Sequence, residues 1–290
     1  MSFKVFNSKN YENTEKNNGD CIVFSLDGNM YVYDCGCTEH AERVIEYANS
    51  NGFSKFDVIL SHNDSDHFDG INYLVEEGKV DKVITTLLLK HKDDILDRID
   101  DGRRTRDSVS EAILKLYDNI ASLGGRVKLI DAYEFENTAN LKFVGPSYPY
   151  MIDAVAKRLD GREGNELDGD TAVNATSLQF SVDLGNGKVL LTGDATYEAL
   201  KENLAGHDFI QLPHHGKPKT AEKIFEHNNQ REDRNEITYF VSDNTGNTNG
   251  GSEELNTRGH KVKNTRTTTG DIEISSNNRN LNIKSNLGGC

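Results

Sequence analysis

The 290-residue chain has no apolar run approaching the roughly 18 residues a bilayer-spanning helix needs, which excludes a membrane span. Its first ten residues, Met1 to Asn10, hold no apolar stretch of the kind found in secretory leaders, so a cytoplasmic location is expected. Cysteine is scarce. Four residues, at positions 21, 35, 37 and 290, are too few and too unevenly spaced to staple a fold of this size, and reduced thiols are expected. Cys35 and Cys37 flank a glycine, but one Cys-x-Cys pair without a second reads as small buried thiols rather than a metal site. Basic residues are also short: 33 Lys and Arg stand against 47 Asp and Glu, a formal net charge of -14. That balance excludes a protein that coats nucleic acid non-specifically, since such binding needs a basic surface. A nucleotide or a single strand held locally by metal ions stays open.

Against these absences stands one dense stretch, Ser61-His62-Asn63-Asp64-Ser65-Asp66-His67-Phe68-Asp69-Gly70, directly after the apolar run Val58-Ile59-Leu60. A strand thus delivers two imidazoles and three carboxylates within eight residues. Side chains so close repel one another unless a cation neutralises the acids and shares the imidazole lone pairs, so the stretch is expected to be a metal-ligand loop. A calcium loop has another oxygen periodicity and little use for two histidines, which leaves zinc or another transition metal. Gly70 permits a tight turn, and Ile71, Leu74 and Val75 then have helical spacing.

The rest of the chain supplies a partner for that loop. Cys21 to Leu26 and Met30 to Asp34 read as a hairpin around Asp27-Gly28-Asn29. A helix follows over Thr38 to Asn51, then the strand Phe56 to Leu60. Ser177 to Leu184 and Lys188 to Asp194 form a second hairpin around Gly185-Asn186-Gly187, also ending in an aspartate. A helix over Tyr197 to Leu204 and a strand Asp208 to Leu212 then run into Pro213-His214-His215-Gly216. The order hairpin, acid, helix, strand, histidine loop occurs twice, as in a duplicated ββαβ unit whose two histidine loops meet at one seam. Between the copies, Lys90 to Leu123 reads as a helical insertion. Its Arg103, Arg104 and Arg106 are the most basic short patch, either a solvated helix end or a clamp for substrate phosphate. Residues 158 to 170 are polar and glycine-rich and are expected to form a mobile loop over the site. Ile237 to Ser242 and Asp271 to Ser275 read as the last strands, and the tail from Asn286 as frayed.

In its ordered motifs the chain resembles the metallo-β-lactamase superfamily. The family loop His-x-His-x-Asp-His stands here as His62-x-Asp64-x-Asp66-His67, and Asn18-Gly19-Asp20, Tyr33-Asp34-Cys35-Gly36, Thr192-Gly193-Asp194 and His214-His215-Gly216 follow in family order. Within the superfamily the pattern is most similar to ComEC-type competence hydrolase domains and their stand-alone relatives, through Asn174-Ala175-Thr176-Ser177-Leu178, Leu191-Thr192-Gly193-Asp194 and the histidine doublet. The resemblance implies a single α/β domain over 1–290, an αββα sandwich of two mixed sheets with flanking helices. It also implies one or two divalent ions, zinc or manganese, held by His62, Asp64, Asp66, His67, Asp194 and His215. Asp66, His214 and His215 would then act in catalysis, and Arg103, Arg104, Arg106 and Asn174 would contact substrate.

Three departures qualify that picture. Asp64 replaces the second family histidine, which hardens the site towards manganese or iron. No histidine lies between His91 and His207, so the intervening ligand is missing and Asp170 or Asn174 is the candidate substitute. The late histidine is also absent, since Asn244 to Gly251 contains none; one metal position is therefore expected to be short of ligands. The activity implied is phosphodiester hydrolysis on nucleic acid or a nucleotide by metal-activated water. The alternatives are another ester class, such as a lactone or thioester, or a scaffold that has lost its chemistry.

Overall fold

Alternation of apolar side chains along short strands sets the layers of this protein. The computed structural model describes residues 1–12, 18–99, 104–160, 166–247, 250–268, 270–275 and 281–285. Six strands come first: β1 (Ser2–Val5), β2 (Cys21–Leu26), β3 (Asn29–Cys35), β4 (Phe56–Ile59), β5 (Val80–Thr85) and β6 (Lys128–Asp131). Along β2, Ile22, Phe24 and Leu26 enter a cluster shared with Phe180, Val182 and Leu191 of the facing sheet, whereas Cys21 and Val23 enter one shared with Ala41, Val44 and Phe68 of the outer helices. Each strand therefore packs on both faces, and the order across the molecule is helix, sheet, sheet, helix.

The second half follows with β7 (Leu141–Gly145), a small hairpin of β8 (Glu166–Leu167) and β9 (Asp170–Thr171), then β10 (Gln179–Asp183), β11 (Lys188–Leu191), β12 (Phe209–Gln211), β13 (Thr238–Val241) and β14 (Lys261–Asn264). In the first sheet β1, β2 and β3 pair antiparallel and β3, β4, β5 and β6 parallel. In the second, β7, β10 and β11 pair antiparallel and β11, β12, β13 and β14 parallel. The two sheets repeat one topology, the expected duplication. Strands β15 (Gly270–Ser275) and β16 (Leu281–Ser285) then return to extend the first sheet beyond β1, so Asp271 to Ser275 is not the last strand.

Helices Thr38–Ser50 and Ser65–Glu76 cover the outer face of the first sheet, the former through Ala41, Val44 and Ala48 at helical spacing. Helix Pro218–Asn228 covers the second, with Ala221, Ile224 and Phe225 against Leu190, Ile210 and Tyr239. The insertion consists of helices Lys92–Arg98, Arg106–Leu116 and Asp118–Leu123. Ile95, Val109 and Ile113 pack on Met151 and Val155 of helix Tyr148–Asp160. Gly145-Pro146 hides that last helix in sequence, although a proline in a first turn, as at Pro149, is no obstacle to one. Its end takes up residues 158 to 160, and β8 and β9 take up 166 to 171, so much of the expected mobile loop is regular structure. Residues 161 to 165 and the tail from Asn286 lie outside the described residues. Cys21, Cys35 and Cys37 are buried free thiols. Among the described residues no helix is long and apolar enough to cross a membrane.

One buried group outside the cleft carries a pH signature. His40 lies fully buried on helix Thr38–Ser50, edge-on to Tyr11 with ring centres 5.0 Å apart. Burial, and then the nearby Arg43 cation, push its imidazole down from 6.5 to about 3. The folded state holds it neutral while the unfolded chain takes up a proton below 6.5, so its contribution is intact above that pH and is lost as pH falls towards 3. The loss at pH 5 is about 2 kcal/mol. Urea unfolding between pH 7.5 and 5 should show this slope in the wild type and a flatter one in His40→Gln; equal slopes would assign the acid sensitivity to other groups.

Candidate metal centre

The carboxyl ends of the parallel strands meet at one edge of the sandwich, and the site is built there. Near the end of β3 the chain turns at Asp34, whose backbone is left-handed (φ 57°) and whose carboxylate is fully buried. Few residues other than glycine accept such a φ, aspartate being among the more tolerant. Asp34 Oδ1 accepts from Ser61 N (2.7 Å), and Oδ2 accepts from Ser61 Oγ (2.7 Å) and His67 Nδ1 (2.8 Å). This side chain therefore ties the exit of β4 to the helix that follows. Helix Ser65–Glu76 starts earlier than the spacing of Ile71 and Leu74 suggests, so Asp66 and His67 lie in its first turn and not in a loop. Asp64 occupies the N-cap position without capping. Its carboxylate points instead to His62, with Oδ2 3.6 Å from Nε2.

The second half brings Asp194 and the doublet. Gly193 is left-handed (φ 51°), and a Cβ there would lie 2.7 Å from Ser61 Cβ, so the two halves touch where only glycine fits. Between them Leu178 N donates to Ser61 O (3.0 Å) and Tyr33 Oη to Leu178 O (2.6 Å). After β12 the turn Pro213–Gly216 places His214 (φ 53°) and His215 (φ 54°) both in the left-handed region. Two such residues in succession cost on the order of 1–3 kcal/mol each and persist where the surroundings fix them. The result here is that two adjacent imidazoles, anchored on different acceptors, both bring Nε2 to within 4 Å of Asp194 Oδ2.

His62, His67, His214 and His215 share one orientation. Ser61 Oγ, its own proton committed to Asp34, accepts from His62 Nδ1 (2.9 Å). Asp34 accepts from His67 Nδ1, Asp170 Oδ2 from His214 Nδ1 (2.6 Å), and the Ser242 carbonyl from His215 Nδ1 (2.9 Å). Each Nδ1 is thus spoken for and each Nε2 faces Asp194. The distances are 3.3 Å from His67 to Oδ1, and 3.9, 3.7 and 3.9 Å from His62, His214 and His215 to Oδ2. Asp66 Oδ2 lies 3.0 Å from His215 Nε2. Outer acceptors that fix the tautomer and leave inner lone pairs converging are the usual second layer of a metal site. The fit is supported by buried atoms that no hydrogen bond satisfies, namely His62 Nε2, His67 Nε2 and Asp194 Oδ1. His62, His67 and Asp194 form one group of mutually close donors, and Asp66, His67 and His215 another.

The electrostatics point the same way. Burial opposes charge on Asp194, yet His67, His214 and His215 hold it well below the usual carboxylate range. Burial likewise disfavours charge on His67 and His215, but Asp194 with Asp34 raises the first, and Asp194 with Asp20 and Asp66 the second. For Asp66, burial is outweighed by the hydrogen bond from His215 and the charge of His67, which depress its pKa. The cluster is one that requires positive charge to be stable.

Not every candidate residue reaches it. A cleft of 430 Å³ above the cluster is lined by Asp64, Asp66, Asp170, Asn174, Asp194 and His214, among others. Asn174 supports Asp170, donating from Nδ2 to Oδ1 (2.9 Å), and Asp170 in turn holds His214, while Asn174 Oδ1 is buried without a hydrogen-bond partner at the cleft. Arg104 donates to the Leu159 carbonyl (2.8 Å) and Arg106 pairs with Asp93 (2.5 Å), both on the helical insertion. Their place is the insertion and not the cleft, because the buried face of helix Arg106–Leu116 turns them towards its helical neighbours and solvent. Arg103 lies outside the described residues. Asp34, Ser61 and Ser177, whose Oγ lies 3.2 Å from His62 Nδ1, are site residues that ligand-type spacing did not single out. Their signal is position: they stand at or beside strand ends next to a ligand.

Comparison with known proteins agrees with this architecture. The profile of the metallo-beta-lactamase superfamily matches residues 15–227. No curated protein matches. Among solved structures, a diphosphatase of the PhnP family is 12% identical, with 98% of this chain and 100% of that one covered and a TM-score of 0.47. Igni18, a metallo hydrolase from Ignicoccus hospitalis, is 14% identical over 95% and 99% of the two chains, with a TM-score of 0.44. YhfI, a metallo-beta-lactamase fold protein from Bacillus subtilis, is 15% identical over 73% and 70%, with a TM-score of 0.40. With the profile spanning most of the chain, its duplicated αββα sandwich and its edge cluster of imidazoles and aspartates, this protein belongs to the metallo-beta-lactamase superfamily.

Proposed function

We propose that this protein is a metal-dependent hydrolase that cleaves phosphodiesters of nucleic acid or a nucleotide. The observation that carries the hydrolase reading is the convergence of four imidazole Nε2 atoms on Asp194, each with its Nδ1 anchored. His62, Asp64 and His214 would hold one divalent ion, and Asp66, His67 and His215 a second. Asp194, with Oδ1 nearest His67 and Oδ2 nearest the other three, would be within reach of either ion. The doublet would thus supply one imidazole to each ion, in place of the two family histidines the sequence lacks. Asp64 adds a hard oxygen donor, which favours manganese over zinc relative to an all-histidine set. Bound divalent ions there would supply Lewis-acid stabilisation and lower the pKa of water to give the nucleophile.

The chain's own residues position these donors. Asp34 and Ser61 fix His67 and His62, and Asp170 fixes His214. Asp20 lies 3.4 Å from His215 Nδ1 and accepts a hydrogen bond from Gln211 on β12. The phosphodiester class is supported by the motif order shared with ComEC-type hydrolase domains, in which the strand Ser177-Leu178 leads to Asp194 and then to the doublet.

Hydrolysis of bis-p-nitrophenyl phosphate with manganese or zinc tests the activity. Asp66→Ala and Asp194→Ala should each lower kcat by on the order of 10³-fold or more, with folding retained by circular dichroism. Wild-type turnover in both variants would end the reading, and full metal occupancy without turnover of any ester would favour a scaffold.

The split of the doublet is tested separately by metal analysis. His214→Ala and His215→Ala should each lose about one of two bound equivalents, with different partners retained. Unchanged stoichiometry in either variant would remove that histidine from the ligand set.

A further inference from the structure

We propose that Lys217 seats a phosphoryl oxygen of the substrate beside the scissile bond, making this lysine the determinant of selectivity for anionic over neutral esters. The inference deepens the hydrolase reading and rests on it. Among the described residues lining the cleft, Lys217 is the one lysine or arginine, in a lining that also holds Asp64, Asp66, Asp170 and Asp194. An anionic substrate approaching this rim, on a chain of net charge -14, meets repulsion that a fixed local cation offsets. Of the arginines that sequence suggested for the task, Arg104 and Arg106 are engaged on the insertion.

The geometry of Lys217 suits the role. Its Nζ donates to Asp170 Oδ2 (2.9 Å) and to the Gly169 carbonyl (3.0 Å). An ammonium has three donors, so one N–H remains for a ligand. The side chain is 24% exposed, open to the cleft yet held in place. Asp170 Oδ2 also accepts from His214 Nδ1, so the ammonium sits one shared oxygen away from an imidazole that faces Asp194. The backbone is fixed as well: Lys217 immediately precedes Pro218, and its carbonyl accepts from Thr220 N and Ala221 N at the start of helix Pro218–Asn228. A cation in this position can hold one oxygen of a phosphoryl group while the rest of the group lies over Asp194.

The competing account is that Lys217 only neutralises Asp170. The test compares bis-p-nitrophenyl phosphate with the neutral p-nitrophenyl acetate in metal-loaded wild type, Lys217→Met and Lys217→Arg. The ratio of kcat/KM for the diester to that for the acetate should fall about tenfold or more in Lys217→Met, chiefly through KM, and recover in Lys217→Arg. An equal fall on both esters would overturn the proposal, because a loosened Asp170 and His214 would slow every substrate alike. Calorimetric titration with inorganic phosphate gives a readout independent of turnover. Affinity should weaken about tenfold in Lys217→Met, and an unchanged affinity would overturn the proposal. A wild type that cleaves the acetate but not the diester would sink the phosphodiesterase reading, and the phosphate titration would still decide the role of Lys217.

Discussion

The structure of the cleft depends on one constraint: Asp194 is buried and ionised, and the chain surrounds it with imidazoles instead of paired cations. A carboxylate in that state is strongly destabilising unless positive charge is brought to it. Arginine or lysine would satisfy it permanently and close the site. Histidines anchored through Nδ1 do so conditionally, since their Nε2 lone pairs can be given to a metal instead of a proton. The surrounding layer, Asp34, Ser61, Ser177, Asp170 and the Ser242 carbonyl, follows from that choice.

The repeated topology explains how so many donors reach one point. Two sheets with the same order of antiparallel and parallel pairs place the carboxyl ends of their parallel strands at a common edge. Contacts such as Leu178 N to Ser61 O bring the edges into register. The first half delivers donor side chains from a helix start, where Asp66 and His67 are ordered by the first turn. The second delivers them from a left-handed turn, where His214 and His215 diverge despite being adjacent. A right-handed turn would separate successive side chains by about 100°, with no guarantee that both face inward. The strained φ values are the means by which two neighbours both reach one carboxylate oxygen while their outer nitrogens find separate anchors.

Much of this was legible in sequence because it rests on local signals. The hairpins around Asp27-Gly28 and Gly185-Asn186-Gly187, the apolar run before Ser61 and the repetition of strand, acid and histidine all have short-range physical causes. His62, Asp64, Asp66 and His67 stood out by residue type and spacing, and the family resemblance added Asp194 and His215 as candidates. What escaped was three-dimensional. Nothing in Pro213-His214-His215-Gly216 announces left-handed φ values at both histidines, so sequence does not show that both imidazoles of the doublet face Asp194. Arg104 and Arg106 drew attention as charge in an acidic chain. Charge density says nothing about direction, and the packing of Val109 and Ile113 turns that helix away from the cleft. Lys217, a single lysine beside a proline, carried no signal until Asp170 was seen to hold it.

The insertion still bears on the site, through contacts rather than charge. Asn63, between two ligand-type residues, donates from Nδ2 to the Leu116 carbonyl (2.7 Å) at the end of helix Arg106–Leu116, and Asn119 Nδ2 lies 3.5 Å from the Asn63 carbonyl. The segment carrying His62 and Asp64 is therefore clamped on one side by Asp34 through Ser61 and on the other by the insertion. Asp64 has the most exposed side chain, 47%, of the residues proposed as ligands, and its backbone is held by its own carbonyl, which accepts from His67 N and Phe68 N, and by Asn63 beside it. A carboxylate standing where the family has a histidine lacks the second ring nitrogen by which an imidazole is anchored. In this chain the anchoring function passes from the side chain to the backbone beside it, which accounts for a polar residue at position 63 facing a helix end and for the insertion packing where it does.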